Sequence, residues 1–569
     1  MAVASLSTSR PETVASLRLL GSPSRLLLWG AIVGLVIYPI VMVLMAAIDP
    51  AASGSQAVRL SDLASERLIA ASVNTLKLGM AVSMMSLAIG TAIALLALHT
   101  RRERWIDIIM SVPFLTPPFL ASLAWSLSVG PKGYIGRFGL SGDALETLVF
   151  SFWGLSLLMS VHYAPLVYFA VRAQMAKIPT SLLWAAQIAG AAPKQIIPRI
   201  LLPISFPALI AGAFLAFACA IEEYGTPLVI GNRIGFPVIS TEIGRIASVY
   251  PINLTLASAL ASILFALGGA IYFFSYLLQR HARTSAKPSS YPFPNLLSAR
   301  VRTGLWLLLS LYFIFTFAIP YGAMLMTSLL KLISAGPTLD NLTVAHYLDA
   351  MTVEASGLRD ALIASFSLAV TAAALGAFLG AASVRKSPAL ASLALIPAAT
   401  PAITMAVGFI LAWNGPWTAW LPLYGSALIV GLFYTVLGLP YAVQYARAGI
   451  ASIPPSYEWA ARIHGARPGL ITRKIVAPLL WPHCLAGAIL IFSISFRELI
   501  GSVLLRPPGM QTVSTFILRE FDQGSPAAGM AMGVIAIAVS MLAICLARQL
   551  VPKPLEVMTH DRQRSLALH

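Results

Sequence analysis

The sequence predicts an all-α polytopic membrane protein of about twelve transmembrane helices, arranged as two parallel six-helix repeats. Three observations predict it. Of 569 residues, 58% are hydrophobic and 10% charged, against roughly 25% charged in a soluble domain. The mean hydropathy is +0.82. A segment at 184–212 also recurs without a gap at 459–487, an offset of 275. This composition excludes a soluble enzyme, a disordered chain and a nucleic-acid binder. The length is better divided into membrane helices of about 20 residues than into soluble domains.

Apolar windows are centred near residues 38, 85, 117, 160, 214, 266, 316, 372, 400, 435, 490 and 538. The first 26 residues are polar and carry Arg10, Arg18 and Arg25, whereas Leu27–Ile48 is almost wholly apolar. That run is longer than the roughly 7–15 residues of a signal-peptide core, so it reads as an uncleaved first span. The net charge of +17 is placed by the positive-inside rule. With the N-terminus inside, the cytoplasmic loops hold Arg101, Arg102, Arg104, Arg172, Lys177, Lys194 and Arg199. The second half adds Arg385, Lys386, Arg447, Arg462, Arg467, Arg473 and Lys474. The outer loops hold fewer basic residues, among them Arg59, Lys132, Arg233 and Arg359. Both termini are therefore expected inside. Cys219, Cys484 and Cys545 lie in apolar stretches and form no metal or disulfide pattern.

Residues 280–302 form a polar, Pro/Ser-bearing break near the middle. It divides the chain into a first half, 1–279, and a second, 303–569. The halves repeat one another. Trp184, Ala185, Ala186, Gly190, Ala191, Pro193, Ile200, Pro203, Pro207, Ala211 and Gly212 each meet an identical residue at the offset of 275. Glu223 meets Glu498, and Glu222 meets Arg497. Ser240–Thr241 pairs with Ser514–Thr515 after a one-residue shift, Thr116–Pro117 with Thr400–Pro401, and Gly130–Pro131 with Gly415–Pro416. Both copies of the strongest segment face the same side, so the repeat is parallel, about an axis along the membrane normal.

The repeated loops, about 178–207 and 453–482, read as a short helix stopped by Gly190 or Gly465, with a second helix opened by Pro193 or Pro468. Pro203 and Pro207 are expected to bend the chain back toward the bilayer. A loop held twice on one side suits a two-fold symmetric partner. These segments resemble the cytoplasmic coupling loop of ABC importer permeases, the Glu-Ala-Ala…Gly…Leu-Pro motif of binding-protein-dependent transport. The matching positions are Ala185, Ala186, Gly190 and Pro203, and Ala460, Ala461, Gly465 and Pro478. The family's glutamate is replaced by Trp184 and Trp459, with Glu458 one residue earlier in the second copy.

The resemblance covers nearly the whole chain and is to the fused, ferric-iron type of permease, whose relatives handle 2-aminoethylphosphonate, thiamine and polyamines. Phe496-Arg497-Glu498-Leu499 and Glu222-Glu223-Tyr224-Gly225-Thr226-Pro227 resemble its second and first halves. It implies the type I importer fold and a multi-pass protein of the bacterial inner membrane. It also implies two copies of an ABC ATP-binding subunit, with ATP and Mg held there, and a periplasmic solute-binding protein. Ferric iron is the leading solute; an ion-coupled secondary transporter is the rival of another class. The chain has no G-x-x-x-x-G-K-[ST] loop, so neither a catalytic site nor a cofactor is expected on it.

Ionisable groups within spans cost roughly 2.5–3.5 kcal/mol on insertion scales and are functional candidates. Glu222, Glu223, Arg497 and Glu498 fall at corresponding ends of spans five and eleven. Three carboxylates around the pseudo-two-fold axis would suit a hard cation or an ammonium. The plainer alternative has them capping helices at the water interface, with Arg497 paired to a neighbouring Glu; no metal ligand set is assigned. Pro117 and Pro401 break spans three and nine, which either serves packing or shapes the path. Lys77 is expected to snorkel outward, and His162 to be a hydrogen-bonded packing residue.

Overall fold

The computed structural model describes residues 23–49, 64–129, 133–137, 142–281, 293–352 and 357–550. Arg10, Arg18, Arg59, Gly130–Pro131, Lys132, Arg283, Lys287 and the tail after 550 lie outside the described residues. Those described are overwhelmingly helical, and the only β feature among them is an isolated bridge between Leu330 and Leu342.

The first half comprises α1 (Pro23–Ile48), α2 (Glu66–Leu98), α3 (Glu103–Ser111), α4 (Pro118–Ser128), α5 (Phe152–Met175), α6 (Thr180–Ile188), α7 (Pro193–Glu222), α8 (Ile239–Ser248) and α9 (Leu254–His281). The second repeats this order in α10 (Ala299–Ser328), α11 (Leu358–Lys386), α12 (Pro388–Leu393), α13 (Ala402–Trp413), α14 (Ala427–Ala451), α15 (Pro455–Ile463) and α16 (Pro468–Ser495). It ends in α17 (Ile500–Leu505), α18 (Val513–Gln523) and α19 (Pro526–Leu550). Helix enters both ends of the stretch expected as linker: α9 runs to His281, and the Ser298 side chain accepts from the Val301 N–H to start α10.

Among the described residues, ten helices are long and apolar enough to cross a membrane. The other two expected spans, near 117 and 400, are each broken. A short tight turn, Val112–Leu115 or Ile396–Ala399, ends the incoming helix. Thr116 (φ −112°, ψ 128°) and Thr400 (φ −107°, ψ 119°) are then extended, as a residue before proline prefers. The second-half pieces meet at 112°.

Proline acts differently elsewhere. Wide, π-type turns at Val33–Ile37, Ile197–Leu201, Ile314–Ala318 and Thr472–Val476 precede Pro39, Pro203, Pro320 and Pro478. Each proline lacks a donor, and its ring crowds the carbonyl four residues back. That carbonyl belongs to Leu35, Arg199, Thr316 or Lys474, the middle residue of each wide turn. Widening the turn relieves the crowding without ending the helix. The expected bend at Pro203 and Pro207 is thereby corrected: both lie inside the uninterrupted helix α7, as Pro478 and Pro482 do in α16.

Within each half, α2, α5 and α7, and likewise α11, α14 and α16, pack on one another. The first helices cross over. α1 lies against α13 of the second half, and α10 against α4 of the first. Trp125 donates to the Phe315 carbonyl at 3.2 Å, Tyr134 and Thr327 share a hydrogen bond of 2.6 Å, and Thr116 meets Tyr321. Thr404 donates to the Ala261 carbonyl at 3.1 Å. At Gly408 a Cβ would sit 2.6 Å from the Pro39 carbonyl oxygen. Overpacking against backbone costs about 1–3 kcal/mol. Gly408→Ala should therefore lower the thermal midpoint of the purified protein by several degrees. Gly304→Ala, where a Cβ meets nothing within 4 Å, should not; equal midpoints would refute the crossover packing.

Candidate functional site

Two places gather the residues singled out from the sequence, at opposite ends of α7 and α16. At the first, α6 and α15 end in the same way. Gly190 (φ +86°) and Gly465 (φ +75°) are left-handed. The Ala191 N–H donates to the Ala186 carbonyl and the Gly190 N–H to Gln187, at 2.9 and 3.0 Å. Ala466 and Gly465 donate likewise to Ala461 and Arg462, both at 3.0 Å. This is a Schellman cap, which an L side chain at the glycine disfavours. A Cβ there would meet nothing within 4 Å, so the glycine serves backbone handedness alone. Pro193 and Pro468 then open α7 and α16 at their first turn. Ala185 and Ala460 are exposed, and Ala186 and Ala461 half-buried.

The two loops are mounted differently, which the repeat alone did not disclose. Leu183 is fully buried in the first-half core. Its counterpart Glu458 instead faces Arg385 and Arg462, each at 3.5 Å, and Arg385 also donates to the Thr472 hydroxyl at 2.7 Å. The glutamate that partly matches the family motif is thus occupied within its own chain.

The second place is a cavity of about 280 Å³ between the halves, level with the breaks in the third and ninth spans. Pro117, Pro118, Tyr163, Cys219, Glu222, Glu223, Arg497 and Glu498 are among its walls. Pro401 stands just behind: its neighbour Ala402 lines the cavity, and a Cβ on Gly268 would lie 3.7 Å from both the Pro401 ring and Glu222 Oε1. Gly225 lets the halves close, since a Cβ there would lie 2.6 Å from Phe119 and 3.2 Å from Leu499.

The three carboxylates share this cavity but have different partners. Glu223 accepts from the Tyr163 hydroxyl at 2.7 Å and from the Gly225 and Thr226 N–H groups at 3.1 Å. Glu498 accepts from the Ile500 and Gly501 N–H groups at 2.8 Å. Both are turned back to cap the following turn. Among the described residues Glu222 has no hydrogen-bond or ion-pair partner. No group of three His, Cys, Asp or Glu side chains among the described residues is placed to hold a metal ion. The hard-cation cage expected from three carboxylates is therefore corrected: two are committed to backbone donors. Glu223 and Glu498 cap the turns that follow them, as the plainer alternative has it, and they do so in the cavity wall.

Matching serines brace the cavity. The Ser240 hydroxyl donates to the Glu223 carbonyl at 2.7 Å, and the Ser514 hydroxyl to the Arg497 carbonyl at 2.8 Å. The shared Ser-Thr pair was the visible signal for them; nothing in the sequence pointed to Tyr163. Elsewhere, His162 packs edge-on to Tyr163 and lines a separate cavity of about 20 Å³, room for about one water. Lys77 is exposed.

A family profile described as binding-protein-dependent transport system inner membrane component matches residues 79–284 and 372–555, once in each half. The ferric transport system permease protein FbpB of Actinobacillus pleuropneumoniae is 26% identical over 493 residues, covering 83% of this chain and 69% of its own. The ABC transporter permease protein y4fN of Sinorhizobium fredii is 24% identical, covering 83% and 84%. The 2-aminoethylphosphonate transport system permease protein PhnV of Salmonella paratyphi A is 27% identical over 254 residues, covering 43% of this chain and 93% of its own. Two matched halves, ten membrane-length helices among the described residues and a doubled capped loop agree with these likenesses: the chain is a multi-pass membrane protein of the binding-protein-dependent transport system inner membrane component family.

Proposed function

We propose that the chain is the transmembrane permease subunit of an ATP-driven ABC importer in a bacterial inner membrane, with both termini cytoplasmic. The observation that carries this reading is the pair of glycine-capped loops, α6 and α15, set at the far ends of the same helices that wall the cavity. Two copies of an ATP-binding subunit would seat these loops. Their closure would move α7 and α16, and with them the turns at 223–226 and 498–502. A periplasmic binding protein would deliver solute to the other side. ATP and Mg would reside on the partner subunits, since this sequence has no phosphate-binding loop motif.

Ferric iron is the solute we favour. The relative named for ferric transport is, like this chain, long enough to match both halves, whereas the phosphonate relative, matched over 93% of its own length, corresponds to one half. Glu222 is the carboxylate left for a passing cation; a phosphonate would instead engage Arg497 across the same cavity. Thiamine or a polyamine is a further alternative for the same machine.

The permease, reconstituted in lipid with its ATP-binding subunit, should hydrolyse ATP faster with iron-loaded binding protein than with the empty protein. Stimulation by the 2-aminoethylphosphonate-loaded form instead would keep the machine and reassign the solute. No stimulation by any loaded form would favour the ion-coupled transporter. Replacing Gly190 and Gly465 together by Val should abolish uptake while leaving the protein in the membrane, because each β-branched residue would be forced to positive φ; persistent uptake would sink the docking role. Glu222→Gln should cut uptake at least about tenfold, the weight of one charged contact, with an unchanged thermal midpoint. Glu223→Gln should lower the midpoint, because it weakens three hydrogen bonds. Identical behaviour of the two variants would contradict the division of roles.

A further inference from the structure

The two loops coincide on one face and differ on the other. Along α6 and α15 the pairs Ser181/Ser456, Trp184/Trp459, Ala185/Ala460 and Ile188/Ile463 are identical, as is the half-buried pair Ala186/Ala461 on the other side. The spacing of the first four, i, i+3, i+4 and i+7, puts them on a single helix face. The pairs that differ are Thr180/Pro455, Leu182/Tyr457, Leu183/Glu458 and Gln187/Arg462. Leu183 and Glu458 are where each helix is fastened to its own bundle. The repeated face points outward: Trp184 is 39% exposed, Ile188 87%, Trp459 65% and Ile463 84%.

Lipid is a poor match for this face. The apolar part of α7 begins at Ile200, after Lys194 and Arg199, and that of α16 at Ile475, after Arg473 and Lys474. The seven residues 193–199 add about 10 Å of helix beyond the hydrocarbon, and α6 precedes them. Each face therefore leaves an indole and a branched aliphatic chain exposed, twice, at positions related by the internal repeat. Exposed apolar groups repeated in this way mark a protein interface, and a two-fold repeat suits two copies of one partner.

We infer that each ATP-binding subunit receives the permease in an apolar slot, filled by Trp184 and Ile188 on one side and by Trp459 and Ile463 on the other, in place of the carboxylate contact of the family motif. This inference rests on the reading that α6 and α15 dock the ATP-binding subunits. Trp and Ile are fitting anchors, since a large apolar group seated in a desolvated pocket dominates interface energetics.

The test uses the full permease in nanodiscs and its matched ATP-binding subunit. Trp184→Ala with Ile188→Ala, and separately Trp459→Ala with Ile463→Ala, should each weaken association by about tenfold or more. All four together should abolish association and uptake. Trp184→Phe with Trp459→Phe should retain association within about threefold and so report an intact fold. Trp184→Glu with Trp459→Glu, which restores the family's residue type, should bind as poorly as alanine. Wild-type association by the alanine or glutamate variants would overturn the inference while sparing the docking reading. Trp184 and Trp459 fluorescence quenched by brominated lipid, and unrelieved by the ATP-binding subunit, would assign the face to the bilayer. Failure of the wild-type permease to bind would overturn docking and inference together.

Discussion

Everything in this structure depends on how proline's missing N–H is accommodated where water cannot replace it. A backbone group without a partner in hydrocarbon costs several kcal/mol, so irregular backbone survives there only when protein covers it or a polar cavity receives it. This chain uses both solutions, at matched positions in its two halves. Where proline follows a wide turn, as at Pro39, Pro203, Pro320 and Pro478, the helix continues. Where an extended threonine precedes proline, at Thr116 and Thr400, the helix breaks. Each break is covered by the other half: Thr116 meets Tyr321 of α10, and the turn before Pro401 lies against Gly268 of α9. Packing between the halves is thus what makes the broken spans tolerable, and the breaks are what leave room for the cavity.

The cavity and the loops are two ends of one mechanical element. α7 begins beside the Gly190 cap and ends at Glu222, and α16 begins beside the Gly465 cap and ends before Arg497 and Glu498. Loop and cavity are joined by one continuous helix of 30 or 28 residues. It reaches turns that are themselves fixed by Glu223 and Glu498 bonding to backbone N–H groups. The two committed carboxylates hold geometry, and Glu222 between them is left facing the cavity. The same division recurs at the loops: Leu183 or Glu458 fastens each helix inward, and an identical face is turned outward.

Much of this was legible in the sequence because local backbone constraints leave local marks. Gly190 and Gly465 followed by Pro193 and Pro468 announce a capped helix and a new start. Thr116–Pro117 and Thr400–Pro401 announce breaks. The offset of 275 announces two halves. Illegible were the features that depend on residues remote in the chain. Pro203 and Pro207 suggested a bend, yet widening of the turn at 197–201 absorbs the crowding at Pro203. Three glutamates in the motif segments suggested a cation cage, but their orientation is decided by Tyr163, sixty residues away, and by the N–H groups of the turns that follow. That α1 belongs against α13 left no trace in either segment's composition.

The central claim is that loop and cavity are coupled through α7 and α16, and the chain carries its own reporter. Cys219 lines the cavity, and Cys484 and Cys545 can be replaced by Ser to leave it as the sole thiol. The decisive measurement is the rate at which a small thiol reagent modifies Cys219 in the lipid-embedded complex, with and without ATP. The account predicts a several-fold change on ATP binding that disappears when Gly190 and Gly465 are replaced. A rate that is the same in every nucleotide state, or that changes equally without the glycine caps, would contradict it.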